Sequence, residues 1–197
     1  MEEGQARPQH HPIRLIVNDD LRRSRLTVFF RLILAIPHFI WLLLWTIVAA
    51  LAWIVNWFAT LFRGRSPDGL HNFIATYLRY QTHVYSYMLL IADPFPAFGG
   101  KPGYPIDLEV APPEDQNRLT VFFRLILAIP AMIISRIMTY LSQILAVFSW
   151  FVALVLGRLP EGMRNFAAFA LRYEQQTNAY IGLLTQRYPS FNISVSE

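Results

Sequence analysis

Four arginines stand where this sequence could do chemistry. Arg31 and Arg124 hold one position of a duplicated phrase, and Arg79 and Arg172 hold another. Each keeps its type, while the copies have drifted freely elsewhere. A guanidinium presents five donors in a planar fork, so arginines converging on one place would grip an anion such as a lipid phosphate. The plainer expectation is that each one snorkels to a headgroup layer or pairs internally, for instance Arg79 with Glu174 across a pseudo-twofold axis. We prefer the plainer expectation.

The other chemistry-bearing residues have simpler readings. His38 follows Pro37 in an apolar setting and aligns with Ala131; a lone histidine there reads as structural rather than as a proton relay. Asp68 and Glu161 come just after Pro67 and Pro160, where an acid complements a helix start. His10 and His11 sit in a polar tail with no further metal ligand beside them. The chain has no cysteine, which excludes disulfides, thiolate metal sites and thiol nucleophiles. Paired carboxylates, a nucleophile with its base, a metal-ligand cluster and a glycine-rich phosphate loop are all missing at motif spacing. We therefore expect no catalytic residue, no metal, no cofactor and no enzymatic activity. Asn192-Ile193-Ser194 matches a glycosylation triplet, a weak signal by itself.

The elements that carry these residues are written twice. Arg-Leu-Thr-Val-Phe-Phe-Arg-Leu-Ile-Leu-Ala-Ile-Pro at positions 25–37 returns unchanged at 118–130. Pro12 and Pro105 are 93 positions apart, as are Arg25 and Arg118, and the register holds without a gap to the end. Gly64-Arg65-Ser66-Pro67-Asp68-Gly69 aligns with Gly157-Arg158-Leu159-Pro160-Glu161-Gly162, and Leu78-Arg79-Tyr80 with Leu171-Arg172-Tyr173. A period this long marks a duplicated domain, since solenoid repeats run at about 20–50 residues. The expected layout is a disordered tail over 1–11, one membrane repeat over 12–98, a linker over 99–104, a second repeat over 105–191 and a tail over 192–197.

Each repeat resolves into four pieces. Ile13, Leu15 and Val17 alternate with other residues, as do Ile106, Leu108 and Val110, which predicts a short strand in each copy. An interfacial entry helix follows over about 21–36, ending where Pro37 disfavours helical geometry in the residue before it. Its polar stripe, Ser24, Thr27 and Arg31, recurs as Asn117, Thr120 and Arg124. The third piece is an apolar helix, over about 38–62 and 137–156. No residue from 32 to 62 is ionised at neutral pH, longer than the ~20 residues that cross a bilayer core. Trp41 and Trp45 lie towards one end and Trp53 and Trp57 towards the other, about 24 Å apart in helical rise, as interface anchors would. Only Trp150 remains of these in the second copy, where Arg136 also replaces Leu43. The last piece is an amphipathic return helix over about 68–91 and 161–184. Asn72, Thr76, Arg79, His83 and Ser86 line one face of its first copy.

Hydrophobic residues make up 54% of the chain, which is only mildly high; their gathering into two runs is the informative feature. The net charge of +4 flanks those runs, pointing to anionic headgroups rather than nucleic acid. Residues 1–25 are polar and hold five arginines, so the first run is expected to insert uncleaved, with the N-terminus cytoplasmic. Six basic residues precede the first run, six lie from Arg63 to Arg124 and four follow the second run. That near-equality gives no signal for inserting the copies in opposite senses. We expect parallel units about an axis normal to the bilayer, with their polar stripes facing each other.

The Pro-Ile-x-Leu-x-Val opening, the shared core phrase and the Leu-Arg-Tyr helix running to Phe95-Pro96 or Tyr188-Pro189 resemble an uncharacterised bacterial family. It is a family of small membrane proteins frequent in actinobacteria, defined only as domain of unknown function 4389. The resemblance covers residues 12–191 and implies an integral protein of the bacterial plasma membrane; it carries no activity and no functional residue. The expected architecture is thus an all-α membrane protein of two pseudo-twofold-related repeats, each with a transmembrane helix. The expected function is a non-catalytic accessory or scaffold subunit of a larger membrane complex. The alternative is a small transporter, pore component or anionic-lipid-binding protein, alone or as a homo-oligomer.

Overall fold

The computed structural model describes residues 11–191; both expected tails, with His10 and Asn192, lie outside them except for His11. Strand β1 (Ile13–Val17) leads into α1 (Arg25–Arg63) and α2 (Asp68–Met88). The second copy repeats this as β2 (Ile106–Val110), α3 (Arg118–Phe122), α4 (Arg124–Leu156) and α5 (Glu161–Ile181).

Local chemistry sets the helix ends. The Ser24 hydroxyl accepts from the Thr27 N–H and starts α1, and Asn117 does the same for α3 through the N–H groups of Leu119 and Thr120. Gly64 and Gly157 close α1 and α4 at φ +78° and +67°, donating their N–H groups to Thr60 and Ala153. A side chain is strained at such angles, so glycine there makes a low-cost stop.

The expected break at Pro37 is absent: the entry helix and the apolar helix are one 39-residue helix. Pro37 lies on the outward face, as does Ile33 four residues earlier, while Val28, Arg31, Ala35 and His38 bind the helix inward on both sides of it. Anchoring on both sides overrides the local preference of the residue before proline. In the second copy the helix breaks at Phe123, and Pro130 lies within α4. Nothing in the structure explains that break, because the same phrase runs unbroken in the first copy.

The strands pair with each other, across the copies. β1 and β2 form one antiparallel sheet with Leu15 opposite Leu108, Ile13 opposite Val110 and Val17 opposite Ile106. This register is symmetric under exchange of the repeats, so a pseudo-twofold axis passes between Leu15 and Leu108. The long helices obey the same axis. Trp57 Nε1 donates to the Val121 carbonyl (3.1 Å), and its counterpart Trp150 Nε1 donates to the Val28 carbonyl (2.9 Å). The late part of each long helix therefore lies beside the early part of the other, and α1 and α4 run antiparallel. The axis crosses them at right angles near their midpoints. Were both helices to cross a bilayer, the repeats would be inverted. The orientation shared by the two copies, expected from the near-even distribution of basic residues, holds only if these helices lie along the membrane.

The molecule has three layers. α1 and α4 form one face, α2 and α5 pack behind them, and the sheet covers α2 and α5 at the axis. The core is the middle layer, with Ile74, Leu78, Tyr80, Val84 and Leu171 closed between the helix face and Leu15, Ile106 and Leu108. Outward residues of α1 such as Ile33, Ile40, Leu44, Leu51 and Phe58 are more than half exposed, as are Ile126, Ile133, Ile144 and Phe151 of α4. Both helices are long and apolar enough to cross a membrane, yet only 22% and 17% of their most apolar windows are buried. A core helix of a water-soluble protein would be mostly buried.

Candidate functional site

The four candidate arginines do not converge. Arg31 projects from the inward face of α1 into the chain that follows α2. Its Nη1 donates to the Tyr87 and Ala92 carbonyls (2.6 and 3.1 Å), its Nη2 to Asp93 (3.0 Å), and its guanidinium lies over the Tyr87 ring. Arg124 repeats this at the opposite end of the molecule with neutral partners: the Gln116 side chain (2.6 Å), the Thr185 carbonyl (3.3 Å) and the Tyr180 ring. Both groups are buried. Each serves as a plug that satisfies backbone carbonyls where a helix ends. Next to each, the carbonyl of a leucine held at positive φ, Leu90 or Leu183, accepts from buried Arg23 or Gln116.

Arg79 and Arg172 differ more. Arg79 Nε donates to the Leu108 carbonyl (3.0 Å) and lies 3.4 Å from Asp107, so its acid is Asp107 on β2 and not Glu174. His83 Nε2 stands 2.8 Å from the same carboxylate, which also accepts from the Gly103 and Leu108 N–H groups. Burial pushes the Asp107 carboxyl up, but His83 and the two N–H groups outweigh it and leave it below the usual carboxylate range. A His–Asp pair would suit a hydrolase only with a nucleophile in reach. Here the His83 ring lies against Tyr104, and the pair ties α2 to the turn before β2. Position 14 of β1 matches Asp107 and is an arginine, so Arg172 has no equivalent acid; it is buried with its Nε and Nη2 unpartnered and its guanidinium over Phe169.

The remaining candidates are packed in place. His38 is fully buried between Phe95 and Phe98, with Nδ1 2.7 Å from the Tyr80 hydroxyl. Asp68 and Glu161 sit in the exposed first turns of α2 and α5, near Arg65 and Arg164. His11 Nδ1 meets the Ile13 N–H. Among the described residues no three potential ligands gather as a metal site would need. Of the tryptophans, Trp41 is exposed, whereas Trp45 packs on Tyr77 and Tyr80. Trp53 packs on Tyr77, and Trp57 and Trp150 lock α1 to α3 and α4 to α1. These are joints between helices, a role that a belt at the interface does not include.

One hollow breaks the symmetry. A groove of about 700 Å³ runs between the early part of α1 and the middle of α4, floored by α2 and α5. Leu32, Phe39, Val147 and Phe151 rim it on the apolar face, and Arg136, Thr139, Ser142, Gln143 and Glu174 form a polar end. Thr139 Oγ1 donates to Glu174 (3.2 Å), and the Ser142 hydroxyl is buried with no partner. Burial pushes the Glu174 carboxyl up, against the opposing pull of Thr139 and Arg136. The groove escapes a motif search, because its residues become neighbours only through α4 and α5. Its signal is in the repeat alignment, where Ala146 replaces Trp53 and Glu174 replaces Gln81.

No curated protein and no solved structure matches the chain. One family does match, twice, over residues 25–99 and 118–192. Those two segments begin at α1 and α3 and hold each long helix, its return helix and the turn that receives the arginine plug. The chain therefore belongs, as a tandem duplication, to the family described as Domain of unknown function (DUF4389).

Proposed function

We propose that this protein is a non-catalytic accessory subunit seated in one leaflet of a membrane, with α1 and α4 lying along the bilayer rather than through it. One observation carries the reading: the exposed apolar residues run the full length of two antiparallel helices on a single face, and the other two layers lie behind them. α1 rises about 58 Å over its 39 residues, against a hydrocarbon core of about 30 Å. Position decides further. The sheet sits over the middle of the helices, so crossing helices would hold its Arg14–Glu109 pair level with the bilayer centre. That pair is about half exposed (48% and 46%). Each such charge costs roughly 2.5–3.5 kcal/mol there, and open sheet edges do not occur facing lipid. Lying flat, the helices sink their apolar face, the terminal arginines reach headgroups, and the sheet faces water, where a partner protein can bind. A bacterial plasma membrane, the location implied by the family resemblance, is part of this proposal.

The absence of native cysteine makes the test direct. Spin labels at Ile33, Leu44, Leu51 and Phe58 in lipid nanodiscs should report one shallow immersion depth. A depth profile that peaks at Leu44 and falls towards both ends would establish crossing and sink the proposal. Purification from native membranes should bring down a stoichiometric larger partner that is released by charge reversal at Arg14 and Glu109. A partnerless chain would remove the accessory role while leaving the seating intact.

A further inference from the structure

The groove is present in one half of the molecule only, and substitutions at equivalent positions account for it. Its pseudo-symmetric counterpart is filled by Trp53, whose indole nitrogen would lie 3.1 Å from a Cβ added at Gly182 and whose ring packs on Tyr77. Ala146 stands at that position in the second copy and leaves the space empty. Around the hollow Leu43 becomes Arg136, Ala49 becomes Ser142, Ala50 becomes Gln143 and Gln81 becomes Glu174. A mere loss of packing would leave an apolar hole. This one has three polar side chains where its counterpart has apolar ones, and an acid in place of an amide; among them is a serine 2% exposed whose hydroxyl meets nothing. A buried hydroxyl without a partner is costly, and a ligand group that reached Ser142 would relieve that cost.

The shape and the charges narrow the occupant. The mouth is apolar and opens on the face formed by α1 and α4, and the apolar length leads to the polar end, which suits a hydrocarbon chain ending in a hydrogen-bonding head. Arg31 also lines the groove, but its guanidinium is engaged by Asp93 and the Tyr87 and Ala92 carbonyls; at the polar end Arg136 and Glu174 oppose each other. An anionic head would meet the Glu174 carboxylate, and a cationic head would meet Arg136. Hydroxyl groups donate and accept at once, so a polyol can donate to Glu174 and the Gln143 carbonyl while accepting from Arg136 and Ser142. We propose that the groove binds one acyl chain carrying an uncharged polyol head, as in a monoacylglycerol, between Ala146 and Trp150 on one side and Leu89 and Leu171 on the other. This goes beyond the accessory role and does not need the helices to lie flat, since the groove exists in the isolated chain.

The test is native mass spectrometry of the full chain from phosphatidylcholine nanodiscs, titrated separately with monooleoylglycerol, oleate and oleylamine. The wild type should take up one monooleoylglycerol per chain, at least tenfold tighter than either charged probe. Ala146→Trp, which fills the groove with the residue found at position 53, although Leu89 stands where that corner has Gly182, should weaken that binding at least tenfold. Glu174→Gln should relieve the exclusion of oleate and raise its affinity severalfold. Equal binding by a folded Ala146→Trp protein would overturn the assignment, as would tighter binding of oleate than of the glycerol ester by the wild type. A stable dimer that Ala146→Trp dissociates would put a second copy in the groove and would overturn it too. If Ala146→Trp does not fold, Ser142→Ala with Gln143→Leu decides instead: unchanged monooleoylglycerol affinity refutes the site.

Discussion

The two halves of this molecule share a backbone plan and differ in what they do with it. In the first half a tryptophan at position 53 closes the corner between α1, α2 and α5. In the second half Ala146 leaves the matching corner open, with a polar end. The arginine plugs show the same divergence. Arg31 is neutralised by Asp93, whereas Gln186 stands at the matching position near Arg124, which has a glutamine side chain, a carbonyl and a ring for company. One copy has charge pairing and dense packing where the other has neutral contacts and a cavity. Duplication permits this, because one half can hold the fold while the other drifts towards a new use.

The comparison is sharpest at the arginines. Arg31→Met strands two carbonyls at a buried helix end and leaves the partly exposed Asp93 without its partner, and should destabilise the protein by about 3 kcal/mol, the low end for breaking a buried ion pair. Arg124→Met strands only neutral groups and should cost about half as much. Chemical denaturation in a fixed detergent reads both, and equal losses would show that charge pairing does not distinguish the halves. Comparable in size is Trp53→Ala, expected to cost about 3 kcal/mol for a partly buried tryptophan and to open a second groove related to the first by the pseudo-twofold. A thermal melt measures the loss, and monooleoylglycerol should still bind once, since the new hollow has Leu43 and Ala49 where the other has Arg136 and Ser142.

The smallest effects concern two acids that titrate in opposite senses. The folded-state pKa of Asp107 is depressed, so its contribution is present above the ordinary aspartate value and is lost as pH falls through the folded one. Asp107→Asn should therefore reduce stability at pH 7 and flatten the acid limb of the stability curve. That of Glu174 is raised, so its contribution is present below the ordinary glutamate value and is lost as pH rises through the folded one. Glu174→Gln should then be more stable than the wild type at pH 7, the gap closing towards pH 4. The same sign for both substitutions at pH 7 would contradict the two environments.

Much of the frame is legible in the residues. The duplication, the return helices starting at Asp68 and Glu161 and both short strands are written in repeated phrases, capping residues and period-two alternation. What stays hidden depends on tertiary choices. Pro37 reads as a stop, yet packing by Arg31 and His38 on either side carries α1 through it. Five-residue strands say nothing about which strand they will join, so pairing across the copies is invisible, and with it the antiparallel course of α1 and α4. Near-even counts of basic residues argue for a shared orientation but cannot show that crossing helices would violate it. Arg79 meets Asp107 rather than Glu174, because strand register, not helix periodicity, brings its acid near. The groove has a trace, the missing second-copy tryptophan, which a search for interface anchors reads as a weaker belt rather than as open space.

The symmetric pairing of Leu15 with Leu108 has a consequence for how such a chain is made and where it came from. Half of the sheet is synthesised some ninety residues before the other half, so the leading module leaves the ribosome with an open strand edge and an uncovered helix flank. It can finish only when its twin arrives. An ancestor encoding a single module would have met the same need by joining a second molecule head to head, and fusion of two genes would then have turned a homodimer into one polypeptide.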